Sequence, residues 1–478
     1  MQSRVPRPSL SLFDSATIVA GSMIGSGIFI VAADIVREIG SPAGLLAIWL
    51  ISGLMTMAGA LAYGELAAMM PQAGGQYVFL RQAYGGLWAF CFGWTVLLVI
   101  QTGTIAAVAV AFGRFAGALW PAIDSRIWFG FGGIGLSSER LVAVAIIALL
   151  TLVNLRGLNL GRIVQNVFTS AKVLALLLIV LLGCLIAPNT EAIHANFGTA
   201  EAFLGNRSFS PAMVAAFGAA MVGGLFSSDA WAGITFAAAE VRHPERNLPR
   251  ALALGTGVVI ALYLLTNLAY LCELPAVGMA IPALTNEHAA IFARGIAHAS
   301  SDRVATAAME RIWGHAGVTI TAVLVMVSTF GCANGLILTG ARVIYAMGRD
   351  GSFLAAAGRL NSASVPAFAL IIQGIWAALL TLSGSYSQLL DYVIFAQLLF
   401  YALTVAAVFV LRVRQPMMPR PYRAWGYPWV PFFYILAALA LMIDLLIVRP
   451  AYTWPGLLIA LSGAPIYLWR RRAMQPVL

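Results

Sequence analysis

Gly21-Ser22-Met23-Ile24-Gly25-Ser26-Gly27-Ile28-Phe29 lies in the middle of the first long apolar segment, roughly 13–39. Its first seven residues hold three glycines and two serines. Glycine costs a helix interior about 1 kcal/mol relative to alanine, so this stretch predicts an interrupted helix. Within a bilayer, unwound backbone persists only where it is buried in protein or lines a cavity. An interrupted first helix therefore implies a cavity near the midplane, walled by the rest of the chain.

The composition supports a membrane setting. Of 478 residues, 61% are hydrophobic and 10% charged, against about 25% charged in soluble chains. Twelve apolar segments are each long enough to span. They lie near 13–39, 43–69, 86–118, 138–156, 162–187, 209–240, 247–272, 316–347, 365–384, 386–411, 428–449 and 452–470. Arg4 and Arg7 ahead of an apolar run mimic a secretory signal, but the length of the run and its glycines read as a retained helix. The net charge of +10 reflects arginines scattered over short loops, which fits membrane topology rather than nucleic-acid binding. With the N-terminus inside, eighteen arginines fall on the inner side and nine on the outer. This bias places both termini in the cytoplasm.

The link Pro71-Gln72-Ala73-Gly74-Gly75-Gln76-Tyr77-Val78-Phe79 is too polar to span and too apolar for a free loop. A short helix along the inner face is expected there. The stretch from Glu273 to His315 is the longest outer region and is expected to carry short capping helices. Cys91, Cys184, Cys272 and Cys332 form no CxxC motif or loop pair, so no disulfide framework or metal site is implied. His194, His243, His288, His298 and His315 all fall in loops, which argues against a membrane-embedded metal cluster.

The sixth segment repeats the anomaly of the first. Gly223-Gly224-Leu225-Phe226-Ser227-Ser228-Asp229-Ala230-Trp231 again sets glycines, small polar residues and a charge in mid-segment. Two interrupted helices, each opening half of a ten-helix core, point to an inverted-repeat transporter. The halves are 1–187 (helices one to five) and 209–413 (helices six to ten), with helices eleven and twelve in 428–478. Helix N-termini expose amides suited to a carboxylate, and helix C-termini expose carbonyls suited to a cation. A zwitterion between the two breaks satisfies both. The bland alternative is close helix packing, since Gly21 and Gly25 also form a GxxxG pair.

Gly25-Ser26-Gly27-Ile28-Phe29 resembles the first-helix hallmark of the amino acid–polyamine–organocation superfamily. Glu240-Val241-Arg242-His243-Pro244-Glu245-Arg246-Asn247-Leu248-Pro249 resembles that family's link between helices six and seven. Tyr63-Gly64-Glu65-Leu66 and Gly331-Cys332-Ala333-Asn334-Gly335 are further matches. The likeness runs along nearly the whole chain and is nearest to bacterial relatives of the L-type amino acid transporters. It implies an all-α polytopic membrane protein of LeuT-type fold, with 12 transmembrane helices, a 5+5 inverted repeat and broken helices 1 and 6.

The resemblance also implies roles. Amides around Ser26 and Gly27, beside Gly25, would bind a substrate carboxylate. Carbonyls near Met23, Ile24, Phe226 and Ser227 would bind its ammonium. Phe226 would act as a thin gate, with Met23, Ile24, Ser228, Asp229 and Asn334 flanking the pocket. Heterodimeric relatives tether a heavy chain through a cysteine after helix three. The corresponding loop here, from Trp120 to Ser138, has none, so no disulfide-linked heavy chain is expected. Relatives often carry serine where this chain has Cys332, which puts a hydroxyl contact there in doubt.

Lys172 is the only lysine among 28 basic residues, and it lies inside helix five. Lysine, unlike arginine, can lose its proton when desolvated. In lysine-bearing family members this side chain resembles a stand-in for the sodium of sodium-coupled cousins, bridging helices one and eight. It reads either as a protonation site that couples transport or as a permanent cation tying helices together. Glu65 reads as an interfacial ion pair or a proton relay. Glu240 and Arg342 read as an inner gate or a plain structural pair. Asp229 reads as a selector of cationic side chains or as a cap on the second half-helix.

The expected function is sodium-independent exchange, or proton-coupled symport, of amino acids, most of all neutral L-amino acids. The expected location is a bacterial inner membrane. The alternatives are a transporter of cationic amino acids or polyamines, and an amino acid sensor that binds without translocating. No cofactor, metal or nucleic acid is expected, and the partners are the substrate, the lipid bilayer and, for symport, protons. A Walker motif requires lysine after glycine, whereas Lys172 follows Ala171. An enzyme would need a nucleophile–base or metal constellation at depth, which the sequence does not offer.

Overall fold

A computed structural model describes residues 10–131, 134–156, 158–205, 210–278, 287–383 and 386–474. The first apolar segment is two helices, α1 (Leu12–Met23) and α2 (Gly27–Ile39), bent by 42° at the expected break. Ser11 and Asp14 form a capping box at the start of α1. Gly40, left-handed at φ 72°, ends α2. Ser41 and Pro42 then open α3 (Pro42–Met69).

The short helix expected in the link after α3 is α4 (Gln76–Tyr84). α5 (Gly86–Thr95) passes through a π-turn at Val96–Ile100 into α6 (Gln101–Leu119). A hairpin of β1 (Phe129–Phe131) and β2 (Ile134–Leu136), with Phe129 opposite Leu136, leads to α7 (Ser138–Leu155). α8 (Leu158–Leu181) closes with a second π-turn at Leu182–Ile186. The short α9 (Thr190–Phe197) and α10 (Ala200–Leu204) follow.

The sixth segment is broken as its sequence requires. α11 (Pro211–Ser227) unwinds over Ser228–Ala232 and resumes as the single turn α12 (Gly233–Phe236). α13 (Pro244–Glu273) begins with Pro244 at its first turn. The stretch between α13 and His315 holds α14 (Glu287–Arg294) and α15 (Val304–Trp313), the short helices expected there. The rest is α16 (His315–Arg349), α17 (Ala367–Ser383), α18 (Tyr386–Arg414), α19 (Trp429–Val448) and α20 (Pro450–Met474).

Among the described residues, eight helices are long and apolar enough to cross a membrane, and the bent α1–α2 pair makes nine. This is fewer than the twelve expected, for identifiable reasons. α11 and α17 are apolar but have 17 residues each, about 26 Å of helix against a hydrocarbon core of about 30 Å. In α11 the missing length is the unwound segment itself. α20 carries Pro455 and Pro465 inside it and three arginines near its end.

α1 packs on α13 and α8, α2 on α11, α13 on α3, and α16 on α6. The outer surface is apolar, with Leu152, Leu174, Ile375 and Ile443 exposed, as a bilayer-facing surface requires. Polar side chains such as Gln101, Lys172, Asp229, Asn267 and Gln373 are buried inside.

Candidate functional site

The two interruptions meet. Ile24 leaves helical geometry at φ −72°, ψ 86°, and Gly25 N donates back to the Met23 carbonyl at 2.8 Å. A Cβ on Gly27 would lie 2.0 Å from Ser227 Oγ, so glycine is what allows the breaks to touch. Tyr263 of α13 ties both helix ends. Its hydroxyl lies 2.9 Å from the Met23 carbonyl oxygen and 3.1 Å from that of Ser227. One proton is thus shared between the C-termini of α1 and α11.

Lys172 is 1% exposed, and its Nζ donates to the Gly21 carbonyl at 2.8 Å. That carbonyl is in the last turn of α1, where intrahelical partners run out. A cation there complements the helix dipole. α16 reaches the same break through other side chains. Ser328 Oγ lies 3.3 Å from the carbonyls of both Ile24 and Gly25, and the Cys332 thiol donates to the Ser22 carbonyl at 3.2 Å. The departure at Cys332 therefore keeps a donor at that position.

A smaller and a larger narrow cavity lie beside the second break, and Asp229, Gln397 and Tyr401 line both. The Tyr401 hydroxyl donates to Asp229 Oδ1 at 2.7 Å. Trp231 packs on Tyr63 and Tyr401, with ring centroids 4.8 and 4.9 Å away. The larger cavity extends to Gln76, Gln101, Thr104 and Thr339. Ala230 joins the two half-helices at φ 67°, a left-handed conformation that is strained for a residue with a side chain.

Met23, Ile24, Gly25, Ser26, Gly27, Phe226, Ser227, Ser228 and Asp229 all lie in the two breaks or in the helix ends that border them, and all are buried. Asn334 stands apart. Its side-chain oxygen accepts from Asn154 Nδ2 of α7 at 2.8 Å, and it lines neither cavity. Tyr263, Tyr401, Gln397 and Trp231 are absent from the sequence-derived set. Gln397 and Tyr401 stand four residues apart in an apolar run, on one helix face, a signal that could have marked them.

Charged pairs sit on either side. Arg342 binds Glu240 through Nε at 3.0 Å and Nη2 at 2.8 Å. Leu10 pairs with Val241 and donates to the Glu240 carbonyl at 2.9 Å, so α1 is fastened next to that ion pair. Glu65 accepts from Arg412 at 2.6 and 2.9 Å and from the Ala424 amide at 2.7 Å, an ion pair at a helix end. Toward the other face, Arg449 bridges Asp391 and Glu38, both at 3.0 Å. Arg37 holds Asp302 at 2.8 Å and also pairs with Asp34. Asp34, Arg37, Glu38, Asp391 and Arg449 line a third cavity.

A helical, multi-pass membrane protein with a buried site between two interrupted helices belongs, as a class, with membrane carriers. The particular family follows from sequence comparison. The chain belongs to the amino acid permease family, whose profile matches residues 10–467; it is an amino acid transporter and not an enzyme. Mouse b(0,+)-type amino acid transporter 1 is 29% identical, over 98% of this chain and 90% of its own length. Mouse large neutral amino acids transporter small subunit 2 is 28% identical, over 96% and 80%. Mouse Asc-type amino acid transporter 1 is 28% identical, over 98% and 82%.

Proposed function

We propose that this chain moves neutral L-amino acids by alternating access, without sodium, as an exchanger or a proton-coupled symporter. The contact of the two breaks supports this reading, because it sets helix N-terminal amides and helix C-terminal carbonyls around one point. Ser26 and Gly27 offer amides to the substrate carboxylate. Carbonyls of Met23, Ile24, Phe226 and Ser227 face its ammonium. Phe226 covers the occupied site, Ser228 and Asp229 flank it, and the cavities beside Asp229 take the side chain. Asn334 would flank the site from α16, with its side chain held by Asn154. Lys172 supplies a cation at the end of α1 and is the group at which coupling would act, and Glu240–Arg342 forms the inner gate.

The architecture that goes with this function has twelve crossings in a LeuT-type fold. Residues 1–187 and 209–413 are the inverted repeats, and 428–478 carries the last two helices. Both termini face the cytoplasm of a bacterial inner membrane, and no disulfide-linked heavy chain is needed.

A second reading rests on Asp229. A buried carboxylate held by a tyrosine hydroxyl beside a cluster of edge-on and tilted aromatic rings suits a cationic side chain. Counterflow in proteoliposomes tests both readings: unlabelled amino acid inside, one labelled amino acid at a time outside, with and without a pH gradient. Uptake of leucine-like substrates that requires internal amino acid means exchange, and uptake into empty vesicles driven by an inward proton gradient means symport. Preference for arginine or lysine would replace the neutral reading by the cationic one. Binding without uptake would leave a sensor.

A further inference from the structure

Cys184 and Cys272 are 88 positions apart in sequence, on helices that the sequence reading leaves unlinked, yet the fold sets these two free cysteines against each other at adjoining helix ends. Each stands at the end of its helix: Cys184 in the π-turn that closes α8, Cys272 one residue before the end of α13. The contact is not a chance approach of two loose ends. A Cβ on Gly183 would lie 3.2 Å from both Cβ and the carbonyl oxygen of Ala269, so the turn is pressed onto α13 one residue from the thiol. Asn189, just past the turn, donates its amide to the Cys272 carbonyl at 3.0 Å and its side chain to the Glu273 carbonyl at 3.3 Å. The two backbones are thus fixed to one another on both sides of the sulfur pair. Both cysteines are half-buried, whereas Cys91 and Cys332 are buried.

We propose that Cys184 and Cys272 form an intrachain disulfide on the outer face of the membrane, joining the ends of α8 and α13. This rests on the orientation argued above, which turns the ends of both helices toward the oxidising side. The oxidant is a protein disulfide of that compartment. One cysteine thiolate attacks a sulfur of the oxidant's disulfide and gives a mixed disulfide. The second cysteine displaces it, forming the Cys184–Cys272 bond and releasing the oxidant as a dithiol. Two electrons pass to the oxidant, together with the two protons given up by the cysteines. α1 packs against both α8 and α13, so the bond clamps the outer ends of the two helices that flank the first half-helix.

The test uses the full-length protein. Cells are quenched in acid, free thiols are blocked with N-ethylmaleimide under denaturing conditions, and the chain is then reduced and treated with polyethylene-glycol maleimide. The expected result is a gel shift of two additions, abolished in both Cys184→Ser and Cys272→Ser. Before reduction, the unblocked protein is about 2 mass units lighter than after it. Four cysteines blocked before reduction would overturn the proposal. In that event, an impermeant maleimide applied to intact Cys184→Ser cells separates the causes. Labelling of Cys272 from outside means the geometry fails to close, and no labelling means the orientation is wrong. Counterflow on the same preparation reports transport independently, so the bond can fail while the transport reading stands.

Discussion

The two interruptions solve one problem in different ways. The first is short, spanning Ile24 to Ser26 between two helices of 12 and 13 residues. It is built from glycine, fastened by Lys172, Ser328 and Cys332, and has no acidic side chain within it. The second spans Ser228 to Ala232 and resumes as a single turn. It is built around Asp229, strained at Ala230, and opens onto both cavities beside it. The contrast teaches that the first break is specified by its backbone and the second by its side chains. On the proposed function, the first would read what all amino acids share and the second what distinguishes them.

The largest effect should come from forcing the breaks apart. Gly27→Ala places a methyl group 2.0 Å from Ser227 Oγ, and overpacking of this kind costs about 1–3 kcal/mol. Counterflow should fall about 10- to 100-fold for every substrate, with Km raised for all of them alike, because the backbone site itself is displaced. Equal loss in a matched exposed-glycine control would break the comparison.

Lys172→Met removes the cation from the end of α1. Uptake should drop by about tenfold or more, since an unpartnered buried carbonyl costs about 1–3 kcal/mol. Lys172→Arg sharpens the point. Transport with an unchanged pH profile would make Lys172 a fixed cation, and loss of proton-driven uptake with exchange retained would make it the coupling group.

Asp229→Asn should alter discrimination more than rate. Competition by cationic amino acids should weaken by about tenfold, the scale of one charge-assisted hydrogen bond, while uptake of neutral substrates persists. Parallel loss of both would return Asp229 to the role of a helix cap.

The smallest effect is expected at Ala230. Glycine accepts φ 67° without strain, so Ala230→Gly should leave transport within about twofold, with a stability change under about 1 kcal/mol read by thermal melting in detergent. Glycine is already present where the first break needs it, and no comparable gain exists there.

Much of this was legible in the chain. Both breaks could be placed from glycine and serine in apolar runs, because helix propensity is local and a bilayer tolerates unwound backbone only around a cavity. The Glu240–Arg342 contact and the α4 helix were legible for similarly local reasons of charge and hydropathy. The span count was less so. Seventeen-residue helices and an unwound midsection look like full spans in a hydropathy count, which registers composition and not helix length.

The sequence alone determined that this is a multi-pass helical membrane protein with two weakened helices and one buried lysine, because composition and periodicity express solvent preference residue by residue. The tertiary structure decided the partners. Tyr263 bridges two helix ends 204 residues apart in the chain, Tyr401 holds Asp229, Asn334 turns to Asn154, and Cys184 meets Cys272. Those contacts depend on how each helix is rotated against its neighbours. That rotation is set by packing across the whole bundle, which no local pattern encodes.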